Sequence, residues 1–368
     1  MIRAITAVGI RPTICSAVIA ATTLIAFPAA TRAQTWDEVV QAANREGEVH
    51  VHGGPGRVYT DILTTGFKKA YPGIKLIYSG SPGREAIPQI TRERQAGIYN
   101  WDVYVGGTPS ILQSLKPAGA FAPLRPTLML PEVLDDKSWR NGFDAGWSDV
   151  DKTTTYAFDF TADPVVYVNW DHVSRDDLRT FKDLLKAQFA DKIVWTDPRV
   201  PGEGVFVAQV MMINFGLDYV TDILTKQKIV YTNNRRQNAE WVVRGRYPIG
   251  FATSPEDLAL FREQGLGKNV EVFNGDITKL VGGAGFGTVS FMDRAPHPNA
   301  AKVYINWLLS KAGQADWKQS QRNSRRLDVP LGAPNLVSPN GVPYQDAQAE
   351  PFIPMRDQLT NLAKKHIQ

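Results

Sequence analysis

The feature that most constrains this chain is a recurring handover from a short apolar strand, through glycine, into a helix. It is written three times early on, in "EVHVHGGPGR", "IKLIYSGSPGREAIPQI" and "WDVYVGGTPS". Each begins with strand-like alternation or a short apolar run and passes into spacing of helical period. Helices are predicted in "WDEVVQAANREG", "VYTDILTTGFKKAYPG", "EAIPQITRERQAG" and "PSILQSLKPAG". Strands and helices in strict alternation give a mostly parallel sheet with helices on both faces, an α/β fold.

A turn-rich stretch follows, "PTLMLPEVLDDKSWRNGFDAGWSD", then the strands "TTTYAFDF" and "PVVYVNW". A second α/β series comes next, with predicted strands in "KIVWTDP", "KIVYT" and "PIGFATS". Its helices are predicted in "TFKDLLKAQFA", "VFVAQVMMINFG", "YVTDILTKQ" and "RQNAEWVVRGR". The glycine-rich strand region "LVGGAGFGTVSFMD", the helix "NAAKVYINWLLSKAGQADWKQ", a loop-like tail and a helix near 351–366 complete the chain. The expected architecture is two lobes, 34–158 with 276–318 and 159–275 with 319–368, and a cleft between them in which a small ligand is enclosed. Closure is expected at the strands joining the lobes, near 156–160 and 276–288.

Residues 1–33 read as a secretory signal peptide. Arg3 and Arg11 precede an apolar core from about Ile14 to Phe27, and Thr31-Arg32-Ala33 precedes Gln34. That core is shorter than the roughly 20 residues a spanning helix needs. Export places the mature protein in the periplasm. Cys15, the one cysteine, lies inside this segment, so disulfides, thiolate metal sites and a cysteine nucleophile are excluded from the mature chain. Three of the 41 Lys and Arg fall there too, which leaves them close to balance with the 37 Asp and Glu. With no basic run interleaved with aromatics, nucleic acid is not an expected partner.

The handovers are the candidate binding sites. A helix start carries unsatisfied N–H groups and partial positive charge, and a loop of small residues lets a ligand approach them. Pro88 places one helix start near Arg84, leaving Ser79 to Gly83 as an open loop at the carboxyl end of a strand, the edge at which α/β sheets bind ligands. Ser79, Gly80, Ser81 and Arg84 are therefore candidates. So are Gly54 and Arg57, Gly107 and the expected N-cap Thr108, Arg199 with Gly202 and Gly204, and Asn234. Phe160 is a candidate aromatic lining, with Tyr167, Trp170, Tyr247 and Phe251 as further ones. Asp159 and Asp163 flank Phe160 near the expected crossing between lobes and read as loop caps. His50 and His52 share a strand face, but without a nearby third ligand in sequence they read as sheet packing.

The segments "FKKAYPGIKLIYSGSPG", "YNWDVYVGG", "KIVWTDPRVPGEG", "VVRGRYPIGF" and "RAPHPNAAKVYINWLLSKAGQADW" resemble, in order, the bacterial extracellular solute-binding proteins that serve ABC importers. The resemblance is to the branch holding the ferric-ion-binding proteins and their relatives for small anions and polyamines. It implies a periplasmic-binding type II fold, a monomer that closes on a small molecule and docks on a membrane permease, and neither cofactor nor catalysis. The iron binders' two tyrosines correspond to Thr253 and Ser254, their glutamate to Gly107, and their histidine to Gly54–Gly56. Neutral Thr, Ser and Gly supply none of the anionic oxygen donors that ferric ion requires, so Thr253 and Ser254 become candidates for a different ligand. No G-x-S-x-G, H-E-x-x-H or Walker pattern is present. An anionic small molecule is expected; the alternatives are a metal receptor of the same family and an exported enzyme on a bilobal fold.

Overall fold

The computed structural model describes residues 4, 9, 34–163, 165–200, 202–337 and 344–367. The segment read as a signal peptide lies outside the described residues, Ala4 and Gly9 apart. Helix α1 (Trp36–Glu46) begins on a capping box in which Thr35 and Glu38 satisfy each other's backbone N–H. It stops where Gly47 turns left-handed at φ 79°. Strand β1 (Glu48–Gly53), α2 (Arg57–Ala70), β2 (Lys75–Gly80), α3 (Gly83–Gln95) and β3 (Val103–Gly106) follow as predicted. The next helix is a single turn, α4 (Thr108–Ser110), continued by a π-helical turn at Ile111–Leu115. After α5 (Pro131–Leu134) come β4 (Thr155–Ala157) and β5 (Val166–Asn169).

The second series holds β6 (Ile193–Thr196), α6 (Glu203–Phe215), α7 (Leu217–Lys226), β7 (Ile229–Thr232), α8 (Arg235–Val243), β8 (Ile249–Phe251), α9 (Pro255–Glu263) and β9 (Val270–Val272). Then come β10 (Leu280–Gly282), β11 (Thr288–Phe291), α10 (Pro298–Leu309), α11 (Lys311–Gln314), β12 (Tyr344–Asp346) and α12 (Ile353–His366). The helix expected in "TFKDLLKAQFA" is instead two 3₁₀ turns, Phe181–Leu185 and Ala187–Phe189. Lys186 between them is extended at ψ 141°, which breaks the α-helical ladder.

Two five-stranded sheets organise the chain, in the orders β2-β1-β3-β11-β4 and β7-β6-β8-β5-β9. In the first, β1 pairs in parallel with β2 and β3, and β11 is antiparallel to both β3 and β4. In the second, β6 pairs in parallel with β7 and β8, while β5 is antiparallel to β8 and β9. Each sheet has its own core. Phe67, Tyr156, Phe158, Tyr304 and Trp307 pack about the first; Phe181, Trp195, Phe251 and Leu359 pack about the second.

Three stretches of backbone run side by side between these cores. Phe158 and Asp159 donate their N–H groups to the Gly287 carbonyl. Phe160 N–H bonds the Asn323 carbonyl, and Arg325 N–H the Phe158 carbonyl. An isolated bridge joins Ala162 to Gly282. The chain thus passes from one sheet to the other in an extended, hydrogen-bonded bundle.

Candidate functional site

Parallel pairing sets the ends of β1, β2 and β3 along one edge of the first sheet. Gly53 lies opposite Gly80, and a Cβ at Gly53 would overlap the Tyr78 ring. The pairing runs through Ser79 and Gly80, so the open loop expected at 79–83 shortens to Ser81 and Pro82. Helix α3 then starts at Gly83 and carries Pro88 within it, one ladder bond short. Ser81 Oγ lies 3.1 Å from His52 Nε2, and Ser81 N–H donates to the Gly53 carbonyl. Gly54 is buried beneath Tyr59 and Phe286, each 3.0 Å from where a Cβ would stand, and its carbonyl accepts from Tyr78 Oη at 2.6 Å.

Helices α2, α3 and α6 all begin without a side-chain cap, so no side chain of the chain's own satisfies their first-turn N–H groups, although Glu85 N–H turns back onto the Pro82 carbonyl. Gly107, not Thr108, stands at the N-cap of α4. Thr108 is fully buried, and its hydroxyl finds no hydrogen-bond partner among the described residues. A buried hydroxyl without a partner costs stability.

Several expected contacts are spent within the protein. Arg57 is 93% exposed and pairs with Asp61 one turn along α2, pointing into solvent. Arg199 forks onto Asp197, with Nη2 2.7 Å from Oδ2. Asp197 is thereby held below the usual carboxylate range, although burial pushes it up. Asn234 and Ser254 cap their own helices, accepting from Gln237 N–H and Asp257 N–H. Thr253 is buried and donates to Asn238 Oδ1 at 2.7 Å. Phe160 is buried with the Arg140 guanidinium over its ring at 4.7 Å, and it lines a cavity of about 120 Å³ shared with Asp159, Arg325 and Asp346. Tyr167 and Phe251 are core, Trp170 lies under Arg175, and Tyr247 packs edge-on against Trp241. Gly202 begins α6 at φ 151°, a conformation that favours glycine. Gly204 lets that helix lie against β6, since a Cβ there would overlap the Thr196 carbonyl. Arg84 opens the second position of α3; its side chain lies outside the description.

The structure adds Glu203, Glu256, Tyr59 and Arg322, which the sequence reading passed over, to Arg235, which it placed at a helix start. Arg235 opens α8 and its Nη2 reaches Glu203, the first residue of α6, at 3.3 Å. The same nitrogen reaches Glu256, in the first turn of α9, at 3.1 Å. One guanidinium therefore gathers three helix starts of the second sheet. Desolvation by neighbouring protein atoms, with the surrounding acids, raises the Glu203 carboxyl above its ordinary value. Tyr59, on α2, feels the charges of Arg322, Asp159, Glu256 and Asp163, with burial raising its hydroxyl to about 12. Arg322 bonds Asp159 and Asp163 at 3.0 and 3.1 Å. Burial raises Asp159 to about 6, Arg322 pulling the other way. "DPRVPGEG" and "TSPED" hold Glu203 and Glu256 in plain view, next to helix starts.

The helix starts of the second sheet thus carry the acceptors Glu203 and Glu256 around Arg235, and Asp163 is held by Arg322. At the positions where ferric binders place tyrosines, Thr253 and Ser254 are neutral and already bonded.

A family model described as bacterial extracellular solute-binding protein matches residues 63–324. The chain belongs to that family of solute-binding proteins. Solved structures agree on the fold. Iron-bound HitA from Pseudomonas aeruginosa is 16% identical with a TM-score of 0.61, over 87% of this chain and 99% of its own. FutA (IdiA) from Trichodesmium, in complex with iron and citrate, is 16% identical with a TM-score of 0.65 over the same shares. AfuA from Actinobacillus pleuropneumoniae, with fructose-6-phosphate bound, is 19% identical with a TM-score of 0.58, over 87% and 98%. No curated protein matches by sequence. The fold is that of the two-lobed periplasmic binding proteins. Among the described residues no helix is long and apolar enough to cross a membrane.

Proposed function

We propose that this protein is the periplasmic substrate-binding component of an ABC transporter, holding an anionic, hydroxyl-bearing small molecule between two lobes and passing it to an inner-membrane permease. The lobes are 34–158 with 276–318 and 159–275 with 319–368, and 1–33 is a cleaved signal peptide. The protein acts as a monomer, without cofactor or catalysis.

The observation that carries this reading is the set of uncapped starts of α2, α3 and α6. Bare helix N-termini favour a phosphate or carboxylate. Arg57 and Arg199, expected to supply positive charge, are engaged elsewhere, so the donors are mainly backbone N–H from Gly54, Gly56 and Arg57, Gly83 and Arg84, and Gly202–Gly204. The carboxylates of Asp163, Glu203 and Glu256 suit hydroxyl groups on the rest of the solute, which makes a sugar phosphate the leading class. The fructose-6-phosphate bound to AfuA, a protein of the same fold, supports this choice.

A second reading rests on the same acids. With Asp159 they outnumber Arg235 and Arg322, which favours a solute bearing an amino group. Thermal-shift titration of dialysed protein with hexose phosphates, phosphonates, organic acids, polyamines and ferric citrate separates these classes. Stabilisation by a phosphorylated or carboxylated solute, recovered chemically unchanged, supports the proposal. Stabilisation by polyamines alone favours the second reading, and turnover of a solute would make the protein an enzyme.

A further inference from the structure

His50 does have a third ligand partner, and a fourth group behind it, from distant parts of the chain. Glu48 and His50 lie on one face of β1, and His297 stands at the N-cap of α10, in the middle of the turn Pro296-His297-Pro298. Glu48 Oε1 is 3.1 Å from His50 Nε2 and 3.7 Å from His297 Nε2, and the two rings sit 5.2 Å apart. Among the described residues this is the one group of three His, Asp, Glu or Cys side chains whose donor atoms all lie within 4.8 Å of one another.

The remaining ring nitrogens decide what those atoms are. His50 Nδ1 lies 3.0 Å from the Asn100 carbonyl, which only accepts, so Nδ1 carries the proton. His297 Nδ1 lies 2.9 Å from Asp102 Oδ2, and the same logic applies. Both Nε2 lone pairs are therefore turned toward a carboxylate oxygen, an arrangement that repels unless a cation lies between. An imidazole with Nδ1–H donated to a carbonyl or carboxylate is how metal-ligating histidines are oriented. Asp102 is fully buried and also accepts the backbone N–H of His50 and of His297, so both ligands hang on one rigid anchor.

We propose that Glu48, His50 and His297 form a binding site for a divalent transition metal of the zinc class, with solvent in the fourth position. Tetrahedral zinc with bonds of about 2.0–2.1 Å sets its ligand atoms roughly 3.4 Å apart, close to the 3.1 and 3.7 Å spacings here. The side chains are 36%, 27% and 18% exposed, which leaves an open face for entry and for water. Lys75 sits 4.0 Å from the other oxygen, Oε2, and leaves Oε1 to the histidines. The site is separate from the solute site. Glu48 begins β1 and Gly53 ends it, and five strand steps of about 3.3 Å put the two some 16 Å apart.

The test is isothermal titration of the full-length, tag-free protein, first stripped with EDTA, using zinc chloride as the probe. One equivalent is expected to bind saturably, and Glu48→Gln and His50→Gln are each expected to weaken binding at least about tenfold. His52→Gln and His172→Gln should leave it unchanged. His297→Gln also releases Asp102, so the two strand variants carry the test. Cupric ion at the same site should show nitrogen coupling from two imidazoles in its electron paramagnetic resonance spectrum. No saturable zinc binding up to about 1 mM, or binding indifferent to both strand variants, overturns the proposal; in the first case a proton bridges His50 and Glu48 instead.

Discussion

Arg322 donates from Nε to Asp159 Oδ2 at 3.0 Å, joining a residue of the C-terminal tail to the strand crossing between the two sheets. Asp159 is buried and also accepts from Trp317 Nε1 and Thr161 Oγ1. Arg322 holds Asp163 as well, so truncating it strands the buried Asp159 and the half-buried Asp163. Breaking a buried pair in this way costs about 3–5 kcal/mol. Arg322→Met should therefore lower unfolding stability by about that amount in urea titration. A loss below about 1 kcal/mol would mean that water replaces the guanidinium.

His52 should give the folded protein a pH dependence of its own. Burial lowers its pKa to about 4, against 6.5 for the unfolded chain. A depressed imidazole contributes stability that is fully present above 6.5 and is lost as pH falls through the window down to about 4. His52→Phe keeps the stacking on Tyr104, now at 4.9 Å, and removes the titration. The stability of wild type relative to this variant should fall between pH 7 and pH 4 by up to about 3 kcal/mol, at 1.36 kcal/mol per pKa unit. Asp159 and Asp346 are each raised to about 6 by burial and act in the opposite sense, which is why the difference between the proteins is the quantity to measure.

Gly204 answers to packing. A Cβ would overlap the Thr196 carbonyl and approach Asp197, so α6 has to move off β6 to admit one. Overpacking of this kind costs about 1–3 kcal/mol, more where backbone is struck. Gly204→Ala should lower Tm by several degrees with no ligand present; an unchanged Tm would show that the helix moves freely.

Thr108→Val separates stability from binding. The buried hydroxyl lacks a partner among the described residues, and removing an unsatisfied group should stabilise the free protein by about 1 kcal/mol. If that hydroxyl is held for the solute, the same change weakens solute binding. A variant that is both more stable and unaltered in affinity would take Thr108 out of the site.

Much of the fold was legible because local rules wrote it. Thr35 and Gly47 bracket α1, and Gly53, Gly80 and Gly106 end three strands where close approach excludes a side chain. Helix α9 and strand β9 were missed, although Ser254-Pro255-Glu256 carries an N-cap signal. The site was legible only as backbone. Which polar side chains were already committed depended on contacts such as Arg199 with Asp197 and Thr253 with Asn238. Arg322 lies 163 residues from Asp159, and His297 lies far from His50, so no local pattern pairs them.

The proposed occupant of the helix starts is a small anionic, hydroxylated solute. Calorimetric titration with hexose 6-phosphates, alongside melting curves at a hundredfold excess over the dissociation constant, tests it most directly. One solute per chain is expected, with a stabilisation of about 2.7 kcal/mol and loss of both on Ser81→Ala combined with Glu256→Gln. Binding of polyamine or ferric citrate with indifference to every phosphate and carboxylate offered would contradict it.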